Sequence, residues 1–200
     1  MKHLTITLAV FFFSSSMLSQ DLNIETKSIS IDNLIPFIVE HIKVKSESDN
    51  LKRDNFVFLL QTPTNDLVTE DKVLLSQAFK LVSNRLSETD YISILTYSGF
   101  NGVALHQTSP KELKTIMYTI DNLKSSVKTF HDDGIELAYN YASENFMDDA
   151  VNTVIMVRNS KALQTEQLAD KNTKPVKKRN SAVLVTAIAL LPELISVIKD

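Results

Sequence analysis

Phe56-Val57-Phe58-Leu59-Leu60 is an uninterrupted apolar run that ends on Gln61-Thr62-Pro63-Thr64-Asn65. Five apolar residues closed by a proline-containing polar stretch read as a strand covered on both faces, the pattern of a parallel sheet. Downstream, Val73, Leu74, Phe79, Leu81, Val82 and Leu86 recur at roughly helical spacing, so residues 70–86 are expected to form a helix capped by Thr69 or Asp71. Residues 91–97 (YISILTY) are a second β-rich run, Gly99-Phe100-Asn101-Gly102 a turn, and residues 103–106 a short third strand. Pro110 opens a further helix through Leu123. Residues 134–146 form an amphipathic helix and residues 154–157 a fourth strand. Strands that alternate with helices predict a doubly wound α/β fold, a mostly parallel sheet flanked by helices.

The ends of the chain carry other signals. Lys2 and His3, the apolar residues 4–13 and the small or polar residues 14–20 have the order of a secretory signal peptide, with cleavage after Ser16, Ser19 or Gln20. Its core is shorter than the roughly 20 apolar residues of a bilayer span. The expected location is therefore the periplasm or the extracellular space. Residues 21–54 read as an N-terminal extension and linker, in which residues 34–44 are either a strand or a short helix, and residues 55–200 read as the domain proper. Residues 182–191 read as a buried strand followed by a helix from Pro192. The alternative is a membrane-tethered component anchored by residues 182–198, against which Pro192 and Glu193 both count.

Composition narrows the chemistry. The chain has 200 residues and no cysteine, which excludes disulfides, thiol catalysis and thiolate metal sites. A net charge of −3 gives no basic field for a nucleic-acid partner. Neither a P-loop, a G-x-S-x-G elbow nor a zinc motif is present, so a familiar nucleotide enzyme or hydrolase has no foothold. His131-Asp132-Asp133 reads as helix N-terminal acid rather than as a ligand set. His41 and His106 read as ordinary half-buried side chains in or beside strands. The cluster of Lys174, Lys177, Lys178 and Arg179 reads as a solvated loop.

Two longer blocks point to a family. Leu86-Ser87-Glu88-Thr89-Asp90-Tyr91-Ile92-Ser93-Ile94-Leu95-Thr96-Tyr97-Ser98-Gly99 resembles the L-x-x-x-D-x-V-S-I-V-T-Y-x-G strand of von Willebrand factor type A domains of a bacterial exported subfamily. Gly134-Ile135-Glu136-Leu137-Ala138-Tyr139, continued by Ala142-Ser143-Glu144-Asn145-Phe146, resembles the same family's G-I-x-L-A-Y-x-x-A-x-E-N-F helix. The likeness covers residues 54–161, about half of the chain.

The resemblance implies a divalent ion held by an Asp-x-Ser-x-Ser loop, a Thr before the central helix and an Asp after the fourth strand. At the matching positions this chain has Gln61, Pro63, Asn65 and Thr129, and the family's Thr-Asp-Gly becomes Arg158-Asn159-Ser160. Both carboxylates are thus amides, which offset the dehydration of Mg²⁺ poorly. The expectation is a degenerate site with no cofactor, in a non-enzymatic module that binds a protein partner around Gln61, Pro63, Asn65, Thr129 and Asn159. A weak or displaced site using Asp66, Asp132 or Asp133 is the competing expectation.

Overall fold

A computed structural model describes residues 22–45 and 52–159. The signal-like segment 1–20, the basic cluster and residues 182–198 lie outside the described residues. In chain order the elements are β1 (Ile24–Ser30), a 3-10 turn (Ile31–Asn33), α1 (Leu34–His41), β2 (Arg53–Thr62), α2 (Thr69–Arg85), β3 (Tyr91–Ser98) and β4 (Gly102–Thr108). They continue with α3 (Leu113–Asp121), α4 (Leu123–Ser126), β5 (Thr129–Phe130), α5 (Gly134–Glu144) and β6 (Ala150–Arg158).

The six strands form one mixed sheet in the order β1-β6-β2-β3-β4-β5. β1, β6, β2 and β3 run parallel, whereas β4 and β5 join antiparallel at one edge. Fully buried Phe58, Leu59 and Leu60 place β2 at the centre, with β6 and β3 on either side. Alternation along the strands splits the core in two. Phe56, Phe58, Leu60, Ile92, Ile94, Ile155 and Val157 meet Leu34, Ile38, Leu75, Phe79 and Ile116 from the helices on one face. Val57, Leu59, Leu95 and Val154 meet Ala138, Tyr141 and Ala142 of α5 on the other. Helices on both faces of a mostly parallel sheet make this an α/β fold.

The two sequence blocks touch each other. Tyr141, from the helix block, lies buried with its hydroxyl 3.2 Å from Ser93 Oγ of the strand block and 3.0 Å from the Gln107 N–H that it accepts. Asn145, at the end of α5, accepts on its backbone oxygen from Asn55 Nδ2 at 2.9 Å and from Gln107 Nε2 at 3.1 Å. These bonds seat the α5 C-terminus on the sheet.

Several boundaries differ from the expectations. The stretch read as extension and linker contributes β1, paired along its whole length with β6, and α1, whose Leu34 and Ile38 are fully buried in the same core. Residues 34–41 resolve to a helix because their apolar side chains must meet the sheet from one side. Pro110 sits in a turn, and α3 starts only at Leu113. His41 lies on α1 and His106 on β4, and both are exposed.

Asp90 is fully buried at the opposite end of the sheet from the β2–α2 junction. It accepts from Lys45 Nζ at 2.7 Å, from the backbone N–H groups of Asp54 and Ser87 at 2.7 Å each, and from Ser87 Oγ at 2.9 Å. Lys45 also reaches Asp54 Oδ2 at 2.8 Å. This cluster ties Lys45, beyond α1, to the starts of β2 and β3. Nearby, a cavity of about 110 Å³ opens between α1 and β1, walled by Phe37, His41 and Phe56 and rimmed by charges of both signs, Glu25, Lys27 and Asp54. It lies away from the strand C-termini.

Candidate functional site

Ligands in open α/β sheets gather beyond the carboxyl ends of the strands. Here that edge is built by the β2–α2 loop, the β3–β4 turn, the segment before α5 and the end of β6. Gly99 lets the first two meet, since a Cβ on it would lie 2.0 Å from the Pro63 carbonyl carbon. Its N–H donates to Thr62 O at 2.8 Å. Ser98, just before it, is held at φ 83, a left-handed conformation unfavourable for a residue with a Cβ. Asn101 ties the turn to the pre-α5 segment, donating from Nδ2 to Asp132 O at 2.8 Å and accepting on its backbone oxygen from the His131 N–H at 3.2 Å. Gly134 opens α5 directly against Tyr97, whose Cβ would be 2.6 Å from a Cβ on the glycine.

Gln61 and Asn159 come together at the ends of β2 and β6. Gln61 Oε1 accepts from the Asn159 backbone N–H at 2.9 Å. Asn159 Nδ2 in turn donates to Asp71 Oδ2 at 2.7 Å, with both residues 2% exposed. The site therefore holds a carboxylate after all, supplied by α2. Sequence reasoning assigned Asp71 to helix capping, but α2 is preceded by Val68 with no side-chain cap bond. A signal was present: Asp71 stands three, four and seven residues before Leu74, Leu75 and Ala78, and so heads the buried stripe of the helix.

The other expected residues are dispersed. Pro63 packs against Gly99, and Asn65 is exposed on the loop. Thr129 lies on the edge strand β5, paired with Val103 of β4. With β3 and β4 between β5 and β2, Thr129 is three strand spacings from Gln61, roughly 14 Å in the sheet plane. Two lysines clamp the loop. Lys72 Nζ reaches Asp66 Oδ2 at 2.6 Å and Asp121 O at 2.8 Å, and Lys124 Nζ donates to Thr64 O at 3.0 Å. Asp133 caps α5, accepting from the N–H groups of Ile135 and Glu136 at 2.8 and 3.1 Å.

These residues do not fit the divalent ion that the resemblance implies. An octahedral Mg²⁺ shell needs convergent, unengaged oxygens with carboxylate charge. Gln61 Oε1 is spent on an N–H, the Asn159 side chain presents a donor to Asp71, Pro63 offers no side-chain oxygen, and Thr129 is remote. Asp66 and Asp133 are engaged by Lys72 and by the α5 N-terminus. Among the described residues no group of three or more His, Asp or Glu converges as an ion would require.

The described chain is thus an α/β protein whose strand C-termini carry a hydrogen-bonded amide–carboxylate bridge. A stretch of 110 residues, 55% of the chain, is 32% identical to "Uncharacterized protein YfbK" of Escherichia coli (strain K12), of which the match covers 19%. The chain thus spans about a fifth of the length of that relative. No family model matches the chain, and no solved structure matches it.

Proposed function

We propose that the protein is an exported, non-enzymatic module of von Willebrand factor A type that binds a protein partner without a metal ion. The observation that carries this reading is the bridge from Gln61 through Asn159 to Asp71, in which the groups at two positions that the resemblance gives to an ion are engaged in hydrogen bonds instead. The bridge ties the ends of β2 and β6 to the first turn of α2 and gives the surface above it a fixed frame. The partner surface is the rim of loops around Gln61, Pro63, Asn65 and Asn159, and it reads its partner by hydrogen bonds and apolar contact. The exposed loop residues Thr64 and Asn65, held in place by the lysine clamps, supply contact groups on a fixed frame.

The test is affinity capture of partners by the full chain, with and without EDTA. A partner retained in chelator, and lost when Asn65 is replaced by a bulky charged residue, supports the reading. A partner lost on chelation overturns it.

A further inference from the structure

On the α5 face, the end of the sheet carries groups that the bridge leaves unused. Strand alternation puts Gln61 on that face, in line with Val57 and Leu59 of the α5 core, and puts Arg158 there in line with Val154 and Met156. Tyr97 pairs with Gln61 in the ladder and packs, like Met156, against the α5 core at only partial burial.

On α5, Ile135 and Tyr139 are one turn apart and are 40% and 36% exposed. The Tyr139 hydroxyl lies 3.2 Å from Thr26 Oγ1, which fixes this ridge on the side facing β6 and β1. Met156 on β6 and Tyr97 on β3 flank β2 on this face as a partly buried floor, and Ile135 and Tyr139 stand on the helix that crosses it.

Arg158 is exposed at the upper end of that floor and makes no ion pair or side-chain hydrogen bond among the described residues. It is close enough to Tyr97 that its charge opposes the upward push of burial on the phenol. The Gln61 amide accepts through Oε1, and among the described residues its Nε2 donors are unengaged. At the ends of neighbouring strands and on one face, this guanidinium and this primary amide are donors without a matching acceptor. The acids of the first turn of α5, Asp133 and Glu136, make no ion pair with Arg158. Arginine and tyrosine beside apolar side chains are also the residue types that dominate binding energies at interfaces.

We propose that this surface takes a partner's polypeptide segment in which an apolar side chain stands next to a carboxylate. The apolar side chain lies on Met156 and Tyr97 against Ile135 and Tyr139, and the carboxylate accepts from Arg158 and Gln61 Nε2. The proposal rests on the reading of the protein as a metal-independent binder and adds the chemistry of the bound segment.

A random linear peptide library screened against the full chain in chelator tests it. Selected peptides pair an aliphatic or aromatic residue with Asp or Glu. Their affinity falls at least tenfold for Arg158→Glu and for Tyr139→Ser, falls less for Arg158→Lys, and is unchanged for Lys80→Gln on the opposite face. Replacing the peptide acid by its amide reproduces the Arg158→Glu loss. Peptides without acidic preference, or binding indifferent to Arg158→Glu in a variant that melts like the parent, overturn the proposal and leave metal-independent binding standing. Binding that emerges only after deletion of residues 182–200 assigns the surface to the chain's own tail and also overturns it. A library that yields no binder overturns both readings.

Discussion

Asn159 Nδ2 donates to Asp71 Oδ2 at 2.7 Å, so the end of β6 is tied to the first turn of α2 across the top of the sheet. Both groups are shielded from water, where a hydrogen bond to a charged acceptor contributes more than an exposed one. Asn159→Asp replaces the donor by a second carboxylate at hydrogen-bond distance, and two buried acids so close cannot both ionise cheaply. The expected loss is about 3 kcal/mol at neutral pH. The paired acids hold a proton more tightly folded than unfolded, so the loss grows as pH rises above the ordinary carboxylate range. Urea melts of both proteins across that range check magnitude and sign.

Asp90 predicts the opposite dependence. Burial alone would raise its pKa, but Lys45, the Asp54 N–H and the Ser87 donors outweigh burial and hold it below the usual carboxylate value. An acid lowered in the folded state contributes stability that is present above its unfolded pKa of about 3.9 and is lost as pH falls through the folded value. Asp54, raised chiefly by burial despite Lys45, acts in the other sense, losing stability as pH rises through its folded value. Asp90→Asn removes the buried carboxylate from Lys45, leaving it Asp54 and the Lys52 carbonyl, and is expected to cost about 3 kcal/mol at neutral pH. The gap between parent and variant holds down to about pH 4 and shrinks below it. A constant gap into strong acid would refute this account of Asp90.

The β3–β4 turn gives a pair of opposed outcomes. Ser98 at φ 83 carries a Cβ in a conformation that costs roughly 1–2 kcal/mol, so Ser98→Gly relieves strain and is expected to stabilise by about 1 kcal/mol after its own entropy cost. That is a rise of about 2–4 °C in melting temperature. At the next residue, Gly99→Ala drives a Cβ to 2.0 Å from Pro63 backbone atoms, which cannot rotate away. A loss of at least about 3 kcal/mol is expected. Thermal melts of the two variants decide both, and equal effects would contradict the close approach.

The central strands and α5 are legible because burial marks the sequence, as an unbroken apolar run at 56–60, a β-rich run at 91–97 and an apolar stripe at 134–146. β1 is not, because an edge strand with Glu25, Thr26, Lys27 and Ser28 all exposed has no apolar alternation to find. Residues 34–41 fit strand or helix equally until the sheet face above them was known. At the site, the amides at Gln61 and Asn159 stand out in the sequence, yet their meeting depends on β2 and β6 lying side by side, which spacing along the chain does not encode. The family resemblance groups Thr129 with them, but two intervening strands set it apart. Asp71 was the costliest omission, since an acid in a first helical turn satisfies the dipole whether or not it is buried.

Metal addition offers the sharpest check on the site itself. A ligand that binds only the folded state stabilises it by RT ln(1 + [L]/Kd), about 2.7 kcal/mol at a hundredfold excess over Kd. To enter here an ion must break the bond from the Asn159 N–H to Gln61, turn the Asn159 side chain away from Asp71, and find its remaining oxygens without Thr129. The first two steps each cost a hydrogen bond shielded from water, and the carboxylate they release is Asp71. Millimolar Mg²⁺ or Mn²⁺ is therefore expected to leave the melting temperature unchanged, and EDTA likewise. A rise of several degrees with either ion, abolished by Asp71→Asn, would show that the bridge opens to admit a metal and that Asp71 is its ligand.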